Sequence, residues 1–420
     1  MTFQPLARPT RWKSTFSTEM QFLLECLRAR LHRRMARFDI LGDARGFDWA
    51  ASARMVERHL VLSHVCDALG GVAGGRVPDH LLSEMNSRRQ VHVRRVLAMT
   101  SELLRLAALF DERGIRFMPF KGPVLSAALF GNVAYRTCGD LDILVHPDDE
   151  PGAEDVLLAN GYRPAFETTG FSDSRLRIFR NNYHHRLFTG TGQGVVVEIH
   201  WRLLASQAVK GGGWDPQGMF QRGQPVPIAG RVFRTLGDTD LLNYLCVHGG
   251  NHFWERLSWL CDVAEIFRGF GDGQWRAAQR AARACGAGRA LALAAVLSHD
   301  LLETEVPGGI RDQWKRDPLL PVLLDNVYRK MNMTGYGESP SMPYGMASFV
   351  LKAALAPGVE GMATHMARAL NIPVDWRTVP LPDSLHFLYL PLRPVLWLYR
   401  QIQALSRAAA SGEETGDAWE

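Results

Sequence analysis

A chain of 420 residues with 46% hydrophobic content is long enough for two or three domains and apolar enough to fill their cores, which excludes a disordered protein. Its 48 basic residues against 43 acidic ones leave only +5, so charge gives nucleic acid little support as a partner. Six cysteines (Cys26, Cys66, Cys138, Cys246, Cys261, Cys285) are scattered without a CxxC pair, which argues against a zinc knuckle or a disulfide framework and for a reducing cytoplasm.

The opening segment is basic, but its apolar run "FLL" is far shorter than a signal-peptide core, so an amphipathic helix behind a frayed tail is expected. Apolar residues recur at helical spacing in "MQFLLECLRARL", "ARMVERHLVLSHVCDAL" and "RRVLAMTSELLRLAALFDERG", making residues 1–109 a helical region with a solvated basic face. The period changes at Ile115. "IRFMPF" reads as a short strand ended by Lys121-Gly122, "PVLSAALF" as a helix with Pro123 in its first turn, and "DLDILV" as a second strand. "PDDEPGAEDVLLANGY" follows as a helix with acids at its N-terminal end, where they favour the dipole.

"HHRLFTG" and "VVVEIHWRLL" flank "GTGQG" as the arms of a hairpin; that turn lacks the Lys-Ser/Thr ending and the following helix of a phosphate loop. The Gly/Pro-rich stretch 210–231 reads as a linker, closing an α/β core over 110–236. Helical periodicity returns over 237–405, and residues 406–420 read as a disordered acidic tail. Within that region "LHFLYLPLRPVLWLYRQIQAL" could span a bilayer by length, but Pro391, Arg393 and Pro394 interrupt it. A packed helix is expected there, with interfacial membrane contact as the alternative. The fold class is therefore α+β: a small mixed sheet with helices, flanked by all-helical regions.

Residues two apart on a strand share a face, so Asp140 and Asp142 lie together while Leu141, Ile143 and Val145 pack on the other side. In "VVVEIHW" the same alternation sets Glu198 and His200 opposite Val195, Val197 and Ile199. Like charges so placed resist burial unless a proton or a cation neutralises them. If the two strands are neighbours, three carboxylates converge as hard oxygen ligands for Mg²⁺ or Mn²⁺, and such a site can hold two ions about 4 Å apart.

A strand, a Gly-containing turn, a helix, a strand with D-x-D and a third acid on a later strand resemble the DNA polymerase β-like nucleotidyltransferase superfamily, through Gly122, Asp140, Asp142 and Glu198. More narrowly, "FKGPVLSAALFGNVAYRTCGDLDILVHPDD", "VEIHWRLL" and "DLLNYLCVHGGNHFWERLSWLCDVAEIF" resemble a bacterial family known only as uncharacterised nucleotidyltransferases, over about residues 85–270. One departure is that Lys121-Gly122-Pro123 stands where the superfamily has Gly-Ser. The resemblance implies transfer of a nucleoside monophosphate from an NTP to a small-molecule, peptide or protein acceptor. The alternatives are another nucleotide- or nucleotide-sugar-dependent transfer at phosphorus and a non-catalytic nucleotide-binding protein.

In that reading Asp140, Asp142 and Glu198 bind the metals and Glu198 helps activate the acceptor. Lys121, at a strand-to-helix turn, is either a phosphate contact or a surface lysine. Arg136 either holds the β or γ phosphate or pairs with Asp140. His200 shares the face of Glu198 and could orient it; His184 and His185 flank the same hairpin. His248 and His252, spaced i, i+4, either line the acceptor side or pack against Asp262.

Overall fold

The computed structural model describes residues 16–37, 47–70, 77–191, 194–204, 214–307, 309–310, 316–332, 352–355 and 372–411. The stretch expected as an N-terminal tail, residues 1–15, and the last nine residues, 412–420, lie outside these. Four helices come first: α1 (Thr18–Leu31), α2 (Trp49–Arg58), α3 (Leu62–Gly70) and α4 (Asp79–Glu112). Ser17 and Asp48 cap α1 and α2 by accepting a backbone N–H in the first turn. The continuous apolar pattern across 53–69 is broken in the structure at Leu60, whose φ of +54° no helix accommodates.

The sheet unit then runs β1 (Phe117–Pro119), α5 (Gly122–Phe130), β2 (Asp140–Val145), α6 (Glu150–Ala159), β3 (Tyr162–Pro164), α7 (Asp173–Asn182), β4 (His185–Gly190) and β5 (Val196–His200). Spatial order is β1-β2-β5-β4-β3, with β2 and β5 parallel at the centre and the other pairs antiparallel. Strand alternation sends Leu141, Ile143, Val145, Val197 and Ile199 to one face. There they meet Val96, Met99, Leu103, Leu106, Ala107 and Phe110, the apolar stripe of α4 at helical spacing. The opposite face at the centre of the sheet carries the acids.

Residues 210–231, read from sequence as a linker, include regular structure in their described part. Pro216–Arg222 form α8, and β6 (Gln224–Ile228) pairs with β7 (Arg231–Thr235). The turn Ala229-Gly230 has positive φ at both residues (48° and 84°), the twist a two-residue hairpin needs. Val226, Ile228 and Phe233 enter the core shared by the sheet and α4, while Pro225 and Pro227 alternate outward. The Pro-rich composition is thus an alternating strand whose prolines sit on its outer face.

Helices α9 (Asp238–Asn251), α10 (Leu257–Gly269), α11 (Asp272–Ala284) and α12 (Gly288–Leu302) follow. They share one apolar core with α1, α2 and α3, so helices from both sides of the sheet unit in sequence are joined in space. Buried His59 ties them further: its Nδ1 accepts from the N–H of Leu257 (3.3 Å), and its Nε2 lies 3.0 Å from the carbonyl oxygen of Met331. Gly249 allows this packing, since a Cβ there would come within 2.6 Å of the Trp254 ring.

The final helix, Tyr389–Ser411, continues past residue 405 into the stretch expected as tail. It is held on one side by Tyr389 and Leu396, packed with Trp376, Phe179 and Trp201, and by Arg393 and Arg400 on buried Asp375. Val395, Trp397, Leu398, Tyr399 and Ile402 stay exposed, so the expected packed helix is packed along one stripe only. No described helix is long and apolar enough to cross a membrane.

Candidate functional site

The site begins with a register. β2 and β5 pair so that Asp142 faces Glu198 and Leu144 faces His200, which puts the second acid of D-x-D and the later acid side by side on one sheet face. Asp142, Glu198 and His200 each offer a ligand atom, all within 4.8 Å of one another. Asp140 begins β2 on the same face, half-buried, and lies outside that group. The sequence-predicted trio is therefore gathered as a close pair with a flanking carboxylate.

Two cations or donors already serve the pair. Lys121 Nζ donates to Asp142 Oδ1 at 2.8 Å. His200 Nε2 lies 3.1 Å from Glu198 Oε2 and 3.3 Å from Asp142 Oδ1, so its N–H is shared between two carboxylates that can only accept. Burial alone would raise the Asp142 carboxyl, but the Lys121 charge and the His200 hydrogen bond outweigh it and hold the acid well below the usual range. Burial works against the imidazolium too, yet its bonds to Asp142 and Glu198 raise His200 above its ordinary value. Asp140 goes the other way: burial first, then the neighbouring Asp142 charge, pushes it up to about 6.

Asp142 Oδ2 tests whether a metal ion fits here. That oxygen is buried and accepts no hydrogen bond among the described residues. An orphaned carboxylate oxygen beside a second carboxylate is a donor set suited to a hard divalent cation. Asp142 and Glu198 therefore fit one ion, with Asp140 at the rim.

The turn that delivers Lys121 depends on a glycine. Gly122 has φ +58°, and a Cβ on it would meet the carbonyl oxygen of Asp140 at 3.0 Å. The glycine lets the start of α5 lie directly against the start of β2. Lys121 is the N-cap of α5, and its ammonium is turned onto Asp142 with little exposure, so it is not a surface lysine.

Arg136 is placed elsewhere. Its Nε donates to Asp262 Oδ2 at 2.7 Å, with side chains only 6% and 0% exposed, and its backbone N–H donates to Ser126 Oγ. Both sequence-based roles for Arg136 give way to a buried ion pair joining the loop after α5 to α10. Asp262 is engaged by that arginine. His248 and His252 are neighbours (ring centroids 4.7 Å) set against Trp259, and His248 stacks on Tyr244. Tyr244 in turn meets Phe120 edge-on at 5.1 Å, and Phe120 meets His200 at 5.0 Å. A row of rings thus runs from the acid pair to half-buried His248 and His252.

The sequence matches the family described as uncharacterised nucleotidyltransferase over residues 45–303. The chain belongs to this uncharacterised nucleotidyltransferase family. Membership carries a nucleotidyltransferase role in the general sense. A solved structure, an antigenic nucleotidyltransferase-like protein from Paracoccidioides brasiliensis, is 14% identical, covers 49% of this chain and 93% of its own, and superposes with a TM-score of 0.32. No curated protein matches the sequence.

In this nucleotidyltransferase, sequence reasoning missed Phe120, Tyr244 and Trp259 as site neighbours. Their signal was present, since each adjoins a residue already of interest: Phe120 precedes Lys121, and Tyr244 lies one helical turn before His248. What was absent was any cue that α9 packs over the acid-bearing face.

Proposed function

We propose that the protein moves a nucleoside monophosphate from an NTP to a small-molecule, peptide or protein acceptor, using a divalent ion (Mg²⁺ or Mn²⁺) held by Asp142 and Glu198, as in the DNA polymerase β-like superfamily. The observation that carries this reading is the pairing of Asp142 with Glu198 on adjacent parallel strands, leaving Asp142 Oδ2 buried without a partner among the described residues. When bound, such an ion supplies charge neutralisation for the triphosphate and lowers the pKa of a ligating hydroxyl.

The residues of the chain do the rest. The acceptor oxygen attacks the α-phosphorus, the bond to the bridging oxygen breaks, and pyrophosphate leaves. Glu198, half-buried beside Asp142, takes the acceptor's proton at its carboxylate. His200 holds both carboxylates in line through its shared N–H, as a positioning residue. The first N–H groups of α5, beside Lys121 and Gly122, face the triphosphate, and the Lys121 charge adds to them. Asp140 completes the anionic rim. His248 and His252, at the far end of the ring row, line the acceptor side. A cytoplasmic setting belongs to the same proposal and is supported by six unpaired cysteines.

The test is transfer of label. The protein is incubated with Mg²⁺ and each of four α-³²P-labelled NTPs in a lysate of its host. One nucleotide should pass its label to a discrete acceptor, with pyrophosphate released, and Asp142→Asn and Glu198→Gln should abolish this while remaining folded. A wild-type protein that binds the nucleotide but labels nothing would overturn the transfer in favour of nucleotide sensing.

A further inference from the structure

Beside the acid pair stand two histidines, His184 and His185, that the nucleotide chemistry does not use. His185 faces His200 across the β4–β5 pair, and His184 sits immediately before it at the entry to β4. The three rings offer one ligand nitrogen each within a mutual distance of 4.8 Å. His184 Nε2 lies 3.1 Å from His185 Nδ1, and His185 Nε2 is 3.8 Å from Glu198 Oε2.

We propose that His184, His185 and His200 form a binding site for a borderline divalent transition metal of the zinc class. This goes beyond the nucleotide reading and does not depend on it. Imidazole nitrogens suit zinc, cobalt and nickel, whereas Mg²⁺ keeps to oxygen, so the histidines would not simply extend a magnesium cage. Three nitrogens with a fourth position left for water make a donor set that zinc adopts. Around a tetrahedral ion with bonds of about 2.0 Å, ligand atoms sit roughly 3.3 Å apart. One spacing already meets this: His184 Nε2 to His185 Nδ1, at 3.1 Å. The remaining distances close by rotation of side chains on a rigid two-strand frame. Phe120 packs edge-on against the His200 ring.

The site shares His200 with the acid pair, and an ion bound through its Nε2 would take the place of the proton that this nitrogen shares between Asp142 and Glu198. A transition ion held by the histidines would therefore lie next to Asp142, adjoining the position suited to a hard cation. The arrangement amounts to two unlike sites meeting at one histidine.

Metal-free full-length protein titrated with Co²⁺ provides the test. Nitrogen-rich four-coordinate cobalt gives intense visible absorption, which an all-oxygen octahedral ion does not. The wild type should show this colour at one equivalent, Zn²⁺ should bleach it, and His184→Ala and His185→Gln should each weaken cobalt binding by about tenfold or more. Circular dichroism and the urea midpoint check that the variants fold. Mg²⁺-dependent nucleotide binding, measured in parallel, keeps the two readings apart. A wild type that stays colourless, or folded variants that bind cobalt as tightly as wild type, overturns the histidine site and leaves the proposed transfer standing. Colour in a protein that binds no nucleotide supports the metal site and counts against the transfer instead.

Discussion

Replacing Arg136 by alanine separates a structural arginine from a phosphate-binding one. The guanidinium and the Asp262 carboxylate are 2.7 Å apart, with 6% and 0% of their side chains exposed, so neither charge has water to fall back on. Asp262 Oδ1 already has no partner among the described residues, and burial raises this carboxyl above its ordinary value even with the arginine present. Removing one partner of a buried pair leaves an uncompensated charge and costs about 3–5 kcal/mol. At about 1.4 kcal/mol per factor of ten, that is a folded fraction weakened by two to three and a half decades. Urea unfolding followed by circular dichroism reads the loss directly. Arg136→Met combined with Asp262→Leu should recover most of it, because two apolar groups of similar volume replace the pair without leaving a charge behind. If Arg136→Ala keeps the wild-type urea midpoint but loses nucleotide affinity, the arginine belongs to the phosphate site and this assignment is wrong.

Gly122→Ala should cost about 2–3 kcal/mol, combining a positive-φ penalty of about 1–2 kcal/mol with the 3.0 Å approach to the Asp140 carbonyl, and a urea midpoint shift measures it. Lys121→Met should lower stability by about 2–4 kcal/mol without divalent ions, since His200 alone then serves Asp142; Mn²⁺ should raise the melting temperature of the variant more than that of wild type. An equal rise in both would show that Lys121 and the metal do not compete for Asp142. Glu150 supplies a pH prediction: burial first, then Glu154, pushes its carboxyl from 4.5 up to about 7, although Arg180 lies 2.7 Å away. A raised acid favours the protonated fold, so this contribution is present below pH 4.5 and is lost as pH rises through 7. Glu150→Gln, always neutral, should gain on wild type between pH 5 and 8 by on the order of 1–3 kcal/mol in a urea series; a flat difference would refute the shift.

Much of the sheet was legible because strand alternation is a local signal. "DLDILV" and "VVVEIHW" separate acids from aliphatics residue by residue, and parallel pairing in register then brings Asp142 to Glu198 without further information. Asp140 was legible as an acid on that face but not as a carboxylate standing outside ligand distance, since a two-residue step along the strand moves it away from the β5 partner. The partner of Arg136 was illegible for a different reason: Asp262 is 126 positions away, on a helix whose docking over the sheet no local pattern reveals. Lys121 shows the same limit, as its side chain turns toward a carboxylate 21 residues later instead of outward. The β6–β7 hairpin was hidden by composition, because Pro225 and Pro227 look like linker residues until their alternation with Val226 and Ile228 is counted.

Nucleotide binding by the acid pair is the most direct measurement. Calorimetric titration of wild-type protein with a non-hydrolysable NTP analogue should show binding that needs Mg²⁺ or Mn²⁺ and disappears in folded Asp142→Asn. Binding of equal strength with EDTA present, or binding that survives the loss of the Asp142 charge, would contradict a catalytic centre built on Asp142 and Glu198.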